Sequence, residues 1–94
     1  MTAPPRTVRI ASAAYPLDAL PTLGAVEDKI ARWVAEAAGE GAELLVFPEY
    51  GAMELAAPAG ETVCADLNAS LEAVSAALPR IDAFHADLAA RYKV

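Results

Sequence analysis

A short apolar run, LLVF at residues 44–47, lies between Gly41 and Pro48. Four consecutive apolar residues bounded by turn-forming residues are typical of a strand that is buried on both of its faces. Such a strand needs layers of structure above and below it and a neighbouring strand on each edge. The run therefore predicts a layered fold that is built around a sheet.

A second candidate strand lies upstream, in the segment TVRIASAA at residues 7–14, where Val8 and Ile10 share one side. Between the two strands, apolar residues recur at helical spacing, and Gly39 then ends the helix. Strand, helix and strand within about forty residues match the length of a βαβ unit. We therefore predict two parallel strands joined by a right-handed crossover helix. The apolar helical positions are Val26, Ile30, Trp33, Val34 and Ala37.

The chain downstream of the second strand is predicted to contain a loop and two further helices. Residues 51–63, with Pro58 and Gly60, are predicted to be a surface excursion that can hold a short helical turn. Two helices follow, because Pro79 ends the helix that is capped by Asp66 and opens the next one. The chain is thus predicted to combine two strands with three helices.

Composition and charge exclude several classes of protein. The 94 residues carry 7 Lys+Arg against 13 Asp+Glu, and a net charge of −6 excludes the basic face that a nucleic-acid partner needs. The single cysteine cannot form an internal disulfide, so we predict a reducing, cytoplasmic location. The apolar runs are too short to cross a membrane, and no Cys/His spacing typical of a metal site occurs. We therefore expect no metal site.

Two short strands and three helices leave too few partners for a strand that is buried on both faces. We therefore predict that residues 1–94 form the N-terminal part of a single larger domain, with residues 1–6 as a flexible tail. The same shortage of cover predicts poor cooperativity in unfolding and a homo-oligomer.

Glu49 is the strongest candidate for a functional residue, because it follows Pro48 at the carboxyl end of the second strand. Ligands of open α/β sheets collect at that end of the strands. Between Phe47 and Tyr50 the carboxylate would lose part of its hydration, which suits it to act as a general base near neutral pH. The alternative interpretation is an ordinary solvated loop glutamate.

Two other residues with reactive side chains are assigned structural roles. Cys64 lies in a Val-Cys-Ala context with no base nearby in the sequence, so we expect a small buried residue rather than a nucleophile. His85 follows Phe84 on the last helix, and we expect it on the helix surface or at an interface. Glu49 therefore remains the candidate for chemistry.

The segment GAELLVFPEY, residues 41–50, resembles the first catalytic signature of the nitrilase superfamily of carbon–nitrogen hydrolases, in which an apolar second strand ends in Pro-Glu. VRIA at residues 8–11 resembles the first strand of that family, and residues 29–38 resemble its first helix. The helix at residues 79–93 resembles the one before its third strand. The resemblance implies an α/β fold, the incomplete N-terminal βαβ-αα portion of an α-β-β-α sandwich.

Members of the nitrilase superfamily use a Glu, Lys and Cys triad, and by resemblance Glu49 is the general base that activates the cysteine thiol. The lysine and the cysteine lie beyond the third strand in the family, so neither Lys93 nor Cys64 takes their roles. Ala14 stands where many relatives have a glutamine. The resemblance implies an enzyme that hydrolyses a small-molecule amide or nitrile without a metal or an organic cofactor, and that residues 1–94 alone are inactive.

A second interpretation assigns no catalysis to the chain. A βα unit with an uncovered sheet edge and apolar helix faces can act as a non-catalytic α/β interaction module that self-associates. The continuation of the reading frame distinguishes the two interpretations, because the enzyme needs a lysine and a cysteine from downstream sequence.

Overall fold

The computed structural model describes residues 6–94 of the chain. Residues 1–5, which belong to the predicted flexible tail, lie outside the described residues. The next residue, Arg6, is exposed, and its guanidinium lies 3.2 Å from the carboxylate of Glu43. In chain order the elements are strand β1 (Ile10–Ser12), helix α1 (Leu23–Gly39), strand β2 (Leu44–Val46), a 3-10 segment (Glu49–Ala59), helix α2 (Glu61–Cys64) and helix α3 (Leu67–Tyr92).

The fold of the described residues differs from the predicted one. Helix accounts for 65% and strand for 7%, with β1 and β2 forming a two-stranded sheet. The predicted α/β portion of an α-β-β-α sandwich is therefore wrong. Each strand contributes three residues to the sheet, whereas the Ala-rich segments are helical, since Ala has the highest helix propensity. The result is a mostly helical structure that carries a small sheet.

The pairing of the two strands is as predicted. β1 and β2 are parallel, with Ile10 aligned to Leu44 and Ser12 aligned to Val46. The ladder continues past β1, where the amide of Ala13 donates to the carbonyl oxygen of Val46 at 2.9 Å. Because α1 lies between the strands in the chain, the predicted parallel pairing of two strands joined by a helix is confirmed.

The sheet is covered on one face. Leu45 and Phe47 lie on the covered face and pack against the helical core. The other face, named here the open sheet face, carries four large apolar residues whose exposed fractions range from 44% to 62%. The prediction that β2 is buried on both faces is therefore wrong for residues 6–94, which place no second layer over this face. The open sheet face consists of Val8, Ile10, Leu44 and Val46.

The core lies between α1, α3 and the middle of the 3-10 segment. α1 begins at Thr22, whose hydroxyl accepts a hydrogen bond from the amide of Ala25 at 3.1 Å and so satisfies a free donor of the first turn. Of its predicted apolar positions, Val26, Ile30 and Val34 are buried in this core, whereas Trp33 and Ala37 are partly buried and line a cavity beside the sheet. The buried apolar residues of this core are Val26, Ile30, Val34, Leu55, Ala56, Val74, Ala77, Ile81 and Leu88.

Helix α3 runs without a break through Pro79, so the prediction of two separate helices is wrong. Its buried positions keep helical spacing on both sides of the proline, and this continuous face holds the two halves against one core. Pro79 is exposed, on the outer side of the helix. The predicted cap is confirmed, because the Asp66 carboxylate accepts from the amide of Ala69 at 2.9 Å. Within residues 6–94, no helix, α3 included, is both long and apolar enough to span a membrane.

The segment that was predicted to be a surface excursion is partly core. Its 3-10 segment runs for 11 residues, and Glu54, Leu55 and Ala56 in the middle are buried. Runs of 3-10 helix longer than about four residues are uncommon, because their hydrogen bonds are poorly aligned. The conformation of this segment therefore depends on the tertiary contacts of its buried residues.

Candidate functional site

Glu49 lies where the sequence predicts, at the carboxyl end of β2. Pro48 separates it from the strand, and it is the first residue of the 3-10 segment, whose first turn is closed by a hydrogen bond from the Gly51 amide to the Pro48 carbonyl at 2.9 Å. The predicted shielding between its aromatic neighbours is wrong, because Glu49 and Tyr50 are both exposed. The side chain is therefore accessible to a molecule that approaches this end of the sheet.

A cavity of about 160 Å³ opens beside Glu49, at the end of the sheet where both strands leave it. Pro48, directly before Glu49, and Gly51, two residues after it, line this cavity, although Glu49 itself does not. Asp82 and His85 of α3 supply polar groups to the opposite wall. We name it the strand-end cavity. A second cavity of about 230 Å³ lies between the sheet and α1, and none of residues 48–53 lines it.

A buried lysine lies behind the strand-end cavity. Lys29 of α1 is 3% exposed, and its ammonium donates to three oxygens. The acceptors are the Glu54 carboxylate at 2.5 Å, the Pro16 carbonyl at 2.5 Å and the Asp18 carboxylate at 2.8 Å. An ammonium has three N–H donors, so every donor has a partner. We name these four residues, together with Tyr15, the Lys29 cluster.

The carboxylate of Glu54 is satisfied as completely as the ammonium. Its Oε1 accepts from the Tyr15 hydroxyl at 2.5 Å, and its Oε2 accepts from the Asp18 amide at 2.9 Å as well as from Lys29. The Lys29 Nζ also lies 4.0 Å from the centre of the Tyr15 ring, which attracts the cation. Among residues 6–94, no buried side-chain nitrogen or oxygen lacks a hydrogen-bond partner. A buried ion pair with this degree of satisfaction is a rigid unit.

The titration of the Lys29 cluster argues against a nucleophilic lysine. Burial lowers the pKa of Lys29, but its hydrogen bonds to Asp18 and Glu54 outweigh burial and leave the pKa raised. Burial and the hydrogen bond to Glu54 raise the pKa of Tyr15. A lysine that attacks substrate needs a lowered pKa. At neutral pH the cluster therefore holds an ammonium and a protonated phenol, and its role is structural.

An aromatic row connects the Lys29 cluster to α3. Ring centres are separated by 5.2 Å between Trp33 and Tyr15, by 5.3 Å between Tyr15 and Phe47, and by 5.5 Å between Phe47 and His85, all edge to face. Burial lowers the pKa of His85, opposed by the charge of Asp82. The predicted surface or interface histidine is thus half-buried in the wall of the strand-end cavity and neutral at pH 7.

The other residues with reactive side chains lie apart from this site. Cys64, the last residue of α2, is exposed, so the prediction of a buried cysteine is wrong. Lys93 caps α3 in the left-handed conformation, with φ of 56°, and is exposed. Neither residue lines the strand-end cavity. Within the part of the chain that the structure describes, no group of three His, Cys, Asp or Glu residues is arranged to hold a metal ion.

The sequence analysis does not predict the Lys29 cluster, although the sequence carries a signal for it. Lys29 follows Val26 by three residues and precedes Ile30 and Val34, so it falls on the apolar face of α1. A charged residue on such a face must find a buried partner. Glu54 is likewise a charged residue among apolar ones, inside the stretch GAMELAA, and also needs a buried partner. An ion pair between Lys29 and Glu54 gives each charge its partner.

Comparisons with known proteins find no relative of this chain. No protein-family model, no curated protein and no solved structure matches it. The resemblance of residues 41–50 to the nitrilase superfamily therefore stays a prediction from the sequence. The geometry of the strand-end cavity is the remaining guide to the chemistry of the site.

Proposed function

We propose that the chain supplies Glu49 as the general base of a carbon–nitrogen hydrolase, acting on a small-molecule amide or nitrile. The proposal includes a Glu-Lys-Cys mechanism, in which the lysine and the nucleophilic cysteine are not residues of this chain. It also includes a cytoplasmic location and no nucleic-acid or membrane partner. The resemblance of residues 41–50 to the nitrilase signature supports it.

The observation that carries the proposal is the position of Glu49. It directly follows the Pro48 that ends the extended backbone after β2, it is exposed, and Pro48 before it and Gly51 two residues after it line the strand-end cavity. Ligands of open α/β sheets bind outside the carboxyl ends of the strands, and Glu49 follows that end of β2. An exposed carboxylate next to a cavity in that place can exchange a proton with a bound molecule.

The proposed reaction uses Glu49 twice. Its carboxylate first takes the proton of the cysteine thiol, and the thiolate attacks the amide carbon while the lysine stabilises the negative charge on oxygen. The carbon–nitrogen bond then breaks, the amine leaves with the proton from Glu49, and a thioester forms. Glu49 next deprotonates a water molecule, which cleaves the thioester and releases the acid, and the leaving cysteine sulfur takes the proton back from Glu49. With a nitrile, the thiolate adds to the carbon and the nitrogen takes the proton from Glu49, which gives a thioimidate. One water molecule converts the thioimidate into the thioester with release of ammonia, and a second releases the acid.

Glu49→Gln tests the proposed base, because the amide keeps the size of the side chain and cannot take a proton. The variant is made in the longer protein that this proposal requires, and hydrolysis of a panel of small amides and nitriles is followed by release of ammonia or amine. We expect kcat/KM to fall about 10²- to 10⁴-fold. Glu61→Gln is the matched control, since Glu61 is an exposed glutamate at the start of α2. Undiminished hydrolysis by Glu49→Gln contradicts the proposal.

The open sheet face favours a second candidate function, self-association of the chain as a non-catalytic interaction module. Four large apolar side chains on one face, at 44% to 62% exposure, form a patch of the kind that mediates contacts between proteins. Glu43, which precedes Leu44 of this face, forms an exposed ion pair with Arg6 at 3.2 Å, and the presence of both charge signs suits a symmetric contact between two copies. We therefore name a second copy of this chain as the occupant of the face.

Leu44→Lys tests self-association, because it places a charge in the open sheet face. We expect the 94-residue chain to sediment as a dimer or larger species and the variant to sediment as a monomer. Leu71→Lys is the matched control, since Leu71 is 48% exposed, close to the 50% of Leu44, but lies on α3. A wild-type chain that stays monomeric at high micromolar concentration argues against this second function.

A further inference from the structure

The loop that carries Glu49 has little intrinsic rigidity. Glu49 is the first residue of an 11-residue 3-10 segment, and such a length of 3-10 helix is not stable by its own hydrogen bonds. The side chain of Glu49 is exposed. Whatever fixes the direction of Glu49 must therefore act on the segment from elsewhere in the fold.

The strongest attachment of this segment is Glu54, five residues after Glu49. Its carboxylate is buried and accepts hydrogen bonds from the Lys29 ammonium, the Tyr15 hydroxyl and the Asp18 amide. Charged hydrogen bonds are stronger than neutral ones, and burial strengthens them further. The first half of the 3-10 segment is thus attached at both ends, by β2 before Glu49 and by the Lys29 cluster after it.

We propose that Lys29 is a positioning residue for Glu49, because its ammonium ties Glu54 of the 3-10 segment to α1 and to the backbone that follows β1. This inference rests on the proposed function of Glu49. Lys29 does not touch the substrate. It holds three elements at one point, and the Pro16 carbonyl and the Asp18 carboxylate come from the loop that leaves β1. The chain ends that follow the two strands are therefore fixed relative to each other.

A mere stabilising role and a positioning role have different consequences. A stabilising pair affects opening of the whole fold, so its loss accelerates amide hydrogen exchange throughout the core. A positioning pair affects the segment that it anchors, so its loss accelerates exchange near Glu49 while the helical core is unchanged. Substrate turnover separates the two further, because a misdirected base lowers kcat more than it changes KM.

The test replaces the pair by neutral groups of similar size, in the double variant Lys29→Met/Glu54→Gln. The glutamine oxygen keeps an acceptor for Tyr15, and no uncompensated charge stays buried. Hydrogen exchange is measured on the 94-residue chain, and kinetics are measured on the longer protein that the proposed function requires. We expect exchange of the amides at residues 49–53 to accelerate more than about tenfold, with exchange at Val34 and Leu88 unchanged and kcat lowered at similar KM.

Two results overturn the inference. One is exchange at residues 49–53 that is unchanged, or accelerated equally across the core. The other is an unchanged kcat in the double variant when Glu49→Gln abolishes turnover. Failure of the proposed function is distinguishable, because it appears as full activity of Glu49→Gln itself. Arg32→Met, an exposed cation on α1, is the control.

A second variant covers the case in which the double variant does not fold. Tyr15→Phe removes the phenolic hydroxyl that donates to Glu54 and leaves both charges in place. We expect exchange at residues 49–53 to accelerate about 2- to 10-fold, the equilibrium effect of losing one hydrogen bond. Exchange at the rate of the wild-type chain overturns the inference in the same way.

Discussion

We expect Lys29→Met to lower the free energy of unfolding of the 94-residue chain by about 3–5 kcal/mol, because it removes one partner of a buried ion pair. The methionine fills the space of the lysine stem but leaves the Glu54 carboxylate, which is 3% exposed, without its cation. An unpaired charge in that position must be hydrated or protonated, and either outcome destabilises the native state. Urea unfolding at pH 7, followed by circular dichroism, measures the loss.

Arg32→Met is the control for this experiment, because it removes a cation from the same helix at an exposed position, and we expect a change below about 0.5 kcal/mol. Lys29→Met/Glu54→Gln is expected to recover most of the lost stability, since neutral groups of similar volume replace the whole pair. A loss below about 1 kcal/mol for Lys29→Met alone would mean that the pair contributes no more than a surface ion pair does.

Leu88→Ala is expected to cost about 2–5 kcal/mol, through lost burial and the cavity that the smaller side chain leaves. Leu88 is 3% exposed and belongs to the core between α1 and α3. Leu71→Ala is the matched control, because it makes the same substitution in the same helix at a residue that is 48% exposed. We expect the control to change stability by less than about 0.5 kcal/mol.

The same urea unfolding experiments compare Leu88→Ala and Leu71→Ala with the wild-type chain. Equal effects of the two variants would show that α3 is not packed along the face that contains Leu88. Each variant must also have the wild-type slope of free energy against urea concentration. A changed slope reports a change in the exposed surface of one state rather than in its stability.

Local patterns predicted the parts of the fold that depend on short-range physics. The helical spacing of Val26, Ile30 and Val34 predicted α1, and the cap at Asp66 predicted the start of α3. The pairing of β1 with β2 followed from the length of the connection between them. For α1 and the cap of α3, residues near one another in the chain supply the deciding interaction, whereas the strand pairing depends on the connection between the strands.

Long-range packing decided the parts that the sequence did not predict. Pro79 removes one hydrogen bond from a helix, but the continuous buried face of α3 outweighs that loss. The apolar run of β2 predicted burial on both faces, yet Leu44 and Val46 are about half exposed because one layer of helix lies on the sheet. The predicted sandwich, which the nitrilase resemblance implied, fails because the described residues are mostly helical and carry a two-stranded sheet.

The candidate site was predicted in part. The sequence indicated Glu49 and its place after β2, since the strand and its terminating Pro48 are adjacent to it. It did not indicate the Lys29 cluster, whose members come from three separate stretches of chain. Lys29 on an apolar helix face and Glu54 in an apolar segment each pointed to a buried partner, but only the folded structure brings the two together.

The wide spacing of the Lys29 cluster along the chain has a consequence for folding kinetics. Tyr15 and Glu54 are 39 residues apart, and Lys29 and Glu54 are 25 apart, so these contacts close long loops. Charged groups that meet only after β1, α1 and the 3-10 segment have docked contribute little to the folding transition state. We therefore expect the cluster to slow unfolding more than it accelerates folding.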